Sequence, residues 1–383
     1  EEFRAVSLPG AQDCPGAELV LRVPALLNSP QTTVVVNCAG RTRSIIGTQS
    51  LRNAGLPNPV YALKNGTMGW ELAGLQVVRN ATARAPLPHE DGLEQARKMA
   101  ADVATRFGVR FVDLAGLRNL NADSSRTTHV FDVRQVDEFE AGHLPGSLNA
   151  PGGQLVQATD TFVATRGARI ALIDQHEVQA VMTAHWLLQM GWRDVHVVRG
   201  ALDDTAVLET GSVCLPVLDE ASLTAPLIDV ETVVGSMATI IDVGDSLSWR
   251  QSGIPGSYWA MRSVLKDCLT GRFASDEALV FVCNDGRLSR FAAQDAVRLG
   301  WTKSRVLKGG RAAWHPGDQT TDRRSGVTAQ AGDRSDRMLC DPDDMWVPPY
   351  ARPSGAHEAM QQYLTWELNL LEQLAREPYL RFS

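Results

Sequence analysis

A Pro-Gly turn, followed at a nearly fixed distance by a short apolar strand, occurs three times in this chain. No other feature restricts the possible folds as much. The turns are Leu8-Pro9-Gly10-Ala11, Leu144-Pro145-Gly146-Ser147 and Ile254-Pro255-Gly256-Ser257. The strands end at Cys38, Asp174 and Cys283, which lie 30, 30 and 29 residues beyond the first turn residue. Each strand end is followed 17 residues later by a glycine: Gly55, Gly191 or Gly300. A unit of about a hundred residues is far longer than a solenoid repeat, so the pattern predicts tandem domains. Val/Ile/Leu-rich strands alternate with helical stretches in each, the mark of a buried parallel sheet. The expected fold class is therefore α/β, with each domain a small parallel sheet flanked by helices.

The 383 residues fit two to four domains of about 100 to 150 residues, each burying its own core. With 44% hydrophobic and 21% charged residues, the chain has the make-up of a globular protein rather than a disordered one. A net charge of -7 speaks against a general nucleic-acid binder, whose footprint would be basic. No apolar run approaches the ~20 residues of a membrane span, and the opening EEFRAVSLPG lacks the regions of a signal peptide. Six cysteines, at 14, 38, 214, 268, 283 and 340, are sparse and show no CxxC pairing. They predict reduced thiols in a cytoplasmic protein rather than a disulfide framework or zinc site. Nothing requires a metal or an organic cofactor, and no feature fixes an oligomeric state.

The middle copy is the most complete. It is expected to run over 109–205, with strands at 129–133, 168–174 and 195–199 and a helix over 175–190. The first copy, 1–89, is expected to lack its beginning, because Glu1-Glu2-Phe3 aligns with Asp137-Glu138-Phe139. Residues 90–108 read as an amphipathic connecting helix, apolar at helical spacing. The third copy spans 224–317 and opens with a strand at 239–243. The remainder, 318–383, divides into a polar linker to about 337 and a helix over about 354–376. That helix would dock on a neighbouring domain through Met360, Tyr363, Leu364, Leu370, Leu371 and Leu374.

The chemistry differs between copies. Cys38 sits at the exit of a buried strand, before a glycine-containing turn and a helix, where backbone N–H groups and the helix dipole favour an anion. Arg41 and Arg43 add two full charges, so the pattern predicts a nucleophilic thiolate. The alternative, a buried structural cysteine, leaves both arginines unexplained.

The segment CAGRTRS at 38–44, followed by NGTMGW at 65–70, resembles the active-site region of the rhodanese (thiosulfate sulfurtransferase) family. DVRQVDEFEAGHLPGSLNAP at 132–151 is similar to the opening of a rhodanese domain. The resemblance covers about 1–75, 110–205 and 224–317 and points to the tandem multi-domain bacterial type, which would have four domains when complete. It implies tandem rhodanese-like domains and a persulfide mechanism. Cys38 would take the outer sulfur of thiosulfate, release sulfite and pass the sulfur to cyanide or a cellular thiol. The loop Cys38, Ala39, Gly40, Arg41, Thr42 and Arg43 would cradle the sulfur through its amides. Arg43 would close the loop, Arg41 would attract the donor and Ser44 would cap the following helix.

In copy two Asp174 replaces the cysteine and cannot store sulfur, so this domain is expected to be inactive and structural. His176 and Glu177 read as exposed loop groups rather than a base or metal site, and Asp132 with Arg134 reads as a structural pair. In copy three Cys283 corresponds to Cys38, Gly286 to the loop glycine and Ser289 to Ser44. Leu288 departs from the pattern where Arg43 stands in copy one. Arg287 or Arg290 would compensate, Asp285 would oppose an anion, and Gly244 replaces the arginine of DVR. Cys283 is thus a second, weaker candidate. Cys14, Cys214, Cys268 and Cys340 read as incidental thiols. Trp70 and Trp314 read as core anchors. A cysteine phosphatase shares the cysteine-and-arginine logic, but its loop has one residue more than Cys38 to Arg43. A non-catalytic persulfide carrier or multidomain scaffold is the alternative outside enzymology.

Overall fold

The computed structural model describes residues 2–203, 206–213, 220–236, 238–315, 335–352 and 354–377. Glu1, Cys214 and residues 318–334 of the expected linker lie outside them. Two compact units are present, one of Glu1–Cys214 with Pro348–Ser383, the other of Leu215–Val347.

The first unit holds copies one and two. Copy two builds a five-stranded sheet in the order β3-β7-β6-β4-β5, from β3 (Arg110–Val112), β4 (Thr128–Asp132), β5 (Leu148–Asn149), β6 (Arg169–Ile173) and β7 (Val195–Val198). Every pairing is parallel, and the central β6 is buried along its whole length. Burial on both faces is what turns Arg-Ile-Ala-Leu-Ile into a continuous apolar run instead of an alternating one. The expected strands and helix fall within a residue or so of the observed ones, except that the helix starts later, at Val178–Gln189. Copy one contributes only β1 (Val34–Val36) and β2 (Val60–Ala62), a two-stranded parallel ribbon.

Two strands cannot bury a core by themselves. Copy one therefore shares one: Leu19, Val20, Leu21 and Leu51 join Val103, Ile170, Val181 and Leu187 in a single buried cluster. The expectation of one core per copy does not hold for these two. The helix Glu90–Phe107 lies in that cluster through Leu93, Ala96, Met99, Ala100, Val103 and Ala104. Its apolar spacing reflects burial along one face.

The second unit holds copy three. Its sheet runs β10-β9-β11-β12-β8, all parallel, from β8 (Leu227–Ile228), β9 (Thr239–Asp242), β10 (Tyr258–Trp259), β11 (Leu279–Val282) and β12 (Arg305–Leu307). Strand for strand this is the order of copy two, so the recurrence in sequence is a recurrence in topology. Residues 335–337 form a short 3-10 turn, and beyond it Leu339 is buried in this unit while Met338 bridges to Trp259. No helix among the described residues is long and apolar enough to cross a membrane.

The helix Ala356–Leu374 belongs to the first unit. It is covered as far as Glu367: Met360 and Leu364 are buried with Met68, beside Ala39, Leu72, Tyr350 and Tyr363. Leu371 and Leu374, expected on the docked face, are 64% and 47% exposed.

Candidate active site

Cys38 follows β1 and Asn37, and the loop it opens runs into the helix Thr42–Asn53. The loop is held from below by the start of a second helix, Gly66–Leu72. Thr67 N donates to Cys38 O at 2.8 Å, Met68 N donates to Ala39 O at 2.9 Å, and Asn37 Nδ2 donates to Thr67 Oγ1 at 3.1 Å. Gly66 has φ +56, and a Cβ there would stand 2.1 Å from Cys38 O and 2.4 Å from Gly40 O. Only glycine tolerates both the conformation and the approach.

Cys38 is half-buried, and among the described residues no hydrogen bond reaches its sulfur. The amide ring expected around the thiol is thus not closed on it. Arg41 Nη1 donates to Asn65 Oδ1 at 3.2 Å, which ties the loop to the second helix. Arg43 pairs with Glu2, with side chains 39% and 49% exposed. An ion pair that open to water is weak and easily exchanged. Burial pulls the Arg43 pKa down, but the hydrogen bond and charge of Glu2, with Cys38 and Tyr363, raise it overall. Ser44 does not cap the helix. Its hydroxyl donates back to Arg41 O at 2.8 Å and so satisfies no free N–H group.

The capping group comes from far along the chain. Glu367, on the helix Ala356–Leu374, accepts from Thr42 N at 3.2 Å and from Thr42 Oγ1 at 2.8 Å, both through Oε1. A Cβ on Gly40 would meet Glu367 Oε2 at 2.3 Å and Tyr363 at 2.8 Å. Burial and the Glu367 charge push the Tyr363 phenol up. Sequence reasoning missed Glu367 and Tyr363. The available signal was a glutamate in register with Met360, Tyr363 and Leu364, on the face that docks.

Copy three repeats the frame with a different lining. Arg311 N donates to Cys283 O at 2.8 Å and Ala312 N to Asn284 O at 3.2 Å, while Gly310, at φ +63, permits the approach as Gly66 does. Gly286 is at φ +81, just before the helix Arg287–Arg298. Cys283 is only 3% exposed. Its sulfur accepts from Ser289 N at 3.4 Å and lies 3.5 Å from Ser289 Oγ and 3.6 Å from Asp285 Oδ1, either of which can accept a hydrogen bond from the thiol. Asp285 Oδ1 also accepts from Arg287 N at 3.0 Å. The arginine that Gly244 lacks is supplied by Arg311, whose Nε stands 3.5 Å from Asp242 Oδ2.

Copy two has its carboxylate where the others have sulfur. Asp174 is 5% exposed, and its Oδ2 accepts from Gln179 N at 3.1 Å and His176 N at 3.4 Å. Burial raises its carboxyl to about 7, against the pull of those amides. His176 and Glu177 are half-buried, and Glu177 pairs with Arg199 at 3.4 Å. Arg134 Nε and Nη2 donate to the fully buried Asp132, at 2.5 to 3.1 Å, and Nη2 also donates to Gly142 O at 2.7 Å.

Away from these loops, Cys14 packs against the core of the first unit, and burial pushes its thiol up to about 12. Cys268 lies in the helix Leu265–Leu269, where burial, followed by a hydrogen bond with Cys340, raises it to about 12. Trp70 is not a core anchor: its Nε1 donates to Gln76 O at 2.9 Å near the surface, and Met68 takes the buried position. Trp314 does pack against the core of the second unit. Among the described residues no cluster of three or more His, Cys, Asp or Glu side chains is arranged to hold a metal.

Two parallel sheets of one strand order, with Asp174 or Cys283 at the tip of the central strand, and a glycine beneath each of the Cys38 and Cys283 loops define a class of domain. The rhodanese-like domain model matches residues 1–73, 116–206 and 223–316, and the chain belongs to that family. A crystal structure of thiosulfate sulfurtransferase from Pseudomonas aeruginosa is 41% identical over 100% of this chain and 71% of its own, with a TM-score of 0.88. A human single-domain sulfurtransferase is 24% identical over 24% of this chain and 95% of its own, with a TM-score of 0.22. The 3-mercaptopyruvate sulfotransferase of Escherichia coli is 18% identical over 54% and 99%, with a TM-score of 0.22. No curated protein matches the chain.

Proposed function

We propose that this protein is a sulfurtransferase that moves sulfane sulfur from thiosulfate to cyanide or a thiol through a persulfide on Cys38. The observation that carries the reading is a half-buried cysteine at the head of a loop that ends in a helix N-terminus, with Arg41 at the N-cap and Arg43 in the first turn of that helix. The 41% identity to a thiosulfate sulfurtransferase supports it. A twelve-residue helix presents about half a positive charge at its N-terminus, which favours a thiolate and an anionic sulfur alike.

In the first half-reaction the Cys38 thiolate attacks the outer sulfur of thiosulfate. The sulfur–sulfur bond of the donor breaks, and sulfite leaves with the bonding pair. In the second, cyanide attacks the terminal sulfur, leaves as thiocyanate and restores the thiolate. Ala39, Gly40, Thr42 and Arg43 contribute amides and charge along the loop, and Arg41 fixes its far side through Asn65. Copy three carries the second site, with Cys283, Gly286 and Arg287, and copy two is structural because Asp174 fills its loop. The experiment is intact mass after incubation with thiosulfate, paired with thiocyanate formation. An adduct of about 32 Da on Cys38 is expected. Full turnover in Cys38→Ser together with none in Cys283→Ser would overturn the assignment.

A further inference from the structure

The amide end of the helix Thr42–Asn53 is where an anionic donor must be met, and the chain has set one of its own carboxylates there. Glu367 is 8% exposed, and its Oε1 takes both the amide and the hydroxyl of Thr42. Its Oε2 is buried against Gly40 with no hydrogen-bond partner among the described residues. A carboxylate with an unfilled acceptor is a costly thing to place in a protein interior. Nothing about the apolar contact of Met360 and Leu364 with Met68 demands it.

The other two copies sharpen the point. Each also has a carboxylate on the amides that follow its strand tip: Asp174 on Gln179 N and His176 N, Asp285 on Arg287 N. Those two belong to the loop itself and cannot leave it. Glu367 reaches its amide from 325 residues away, at the last buried position of a helix whose end is exposed.

We infer that Glu367 is a specificity-determining residue of the Cys38 site: it holds the Thr42 amide as an internal competitor and so weakens the binding of doubly charged anions in the loop. This deepens the sulfurtransferase reading and rests on it. A dianion entering the loop has to displace the carboxylate or accept its repulsion, in a place where water screens little. The gain is selectivity, since a donor must bring enough contacts of its own to win the amide. Arg43, held by an exposed partner, is the charge readiest to turn toward that donor.

Glu367→Gln tests this directly, because the amide oxygen still accepts from Thr42 while the charge is gone. KM for thiosulfate should fall three- to tenfold with kcat within twofold, and the difference should shrink at high salt. Glu367→Ala should move KM the same way. A raised KM or a lowered kcat in both variants would make the carboxylate a positioning group and overturn the inference. A second readout needs no turnover: in a Cys38→Ser background, inorganic sulfate should protect the 38–44 amides from hydrogen exchange at lower concentration when Glu367 is Gln. Equal sulfate dependence in the two backgrounds refutes the inference. If the wild-type protein turns over no thiosulfate, the functional reading fails on its own, and the sulfate comparison still decides the role of Glu367.

Discussion

Copies one and three carry the same kind of loop at the tip of a parallel strand, yet their sulfurs sit in opposite surroundings. Cys38 is half-buried, takes no hydrogen bond from a described residue, and is followed by Arg41 at the N-cap and Arg43 in the first turn of the next helix. Cys283 is buried, receives the Ser289 amide, and has the carboxylate of Asp285 within 3.6 Å of its sulfur. Asp285 accepts a hydrogen bond from the thiol and repels a dianion. The backbone frame is common property, and the side chains on it decide whether an anion is welcome. Copy two takes the trend to its end, with the carboxylate inside the loop in place of sulfur.

The largest effect expected from this comparison is on turnover. Cys38→Ser should lower thiocyanate formation by at least about a thousandfold, whereas Cys283→Ser should keep more than about half of it. Equal losses in the two variants would erase the contrast between the two sites.

Stability should follow pH through copy two. The Asp174 carboxyl is raised to about 7 by burial, above its unfolded value. Its contribution is therefore fully present below about pH 4 and is lost as pH rises through about 7. Asp174→Asn should match the wild type near pH 4 and exceed it at pH 8 by up to about 4 kcal/mol in urea unfolding. A pH-independent difference would show that the buried carboxylate is not the titrating group.

The glycines under the loops come next. Gly66→Ala forces a Cβ to within 2.1 Å of Cys38 O at positive φ and should cost about 3 kcal/mol while displacing the loop. Gly310→Ala, 2.3 Å from Cys283 O, should destabilise the second unit by a similar amount with little loss of Cys38-dependent turnover. Unfolding curves and rates on both variants separate the two frames. The smallest change expected is in copy three: Asp285→Asn should raise thiosulfate-driven sulfur loading of Cys283 about three- to tenfold, read by peptide mass. No rise would mean that burial, not the carboxylate, limits that site.

Much of this was legible in the order of residues. The Pro-Gly turns and strand tips recur at one spacing, and in copies two and three that spacing accompanies the same parallel strand order. The strand β6 and the helix Glu90–Phe107 announce themselves because burial on two faces, or along one helical stripe, writes a period into the sequence. The Cys38 loop stood out as a contiguous run, residues 38 to 43, but the expected ring of amides does not close on its sulfur. Glu367, Glu2 and Arg311 were not legible, since each reaches its partner across tens or hundreds of residues and leaves no local pattern. Ser44 was misread as a cap because its spacing allows one, but its hydroxyl found a carbonyl.

By itself, the sequence settled the repeat, the central strands of copy two and the residue at each strand tip, cysteine twice and aspartate once, since these follow from local sterics and periodicity. Tertiary structure alone decided that the first two copies share a core, that a distant glutamate meets the Thr42 amide, and that Cys283 lies closed in beside an aspartate. Those outcomes depend on which surfaces meet in space, and long-range packing carries no period along the chain.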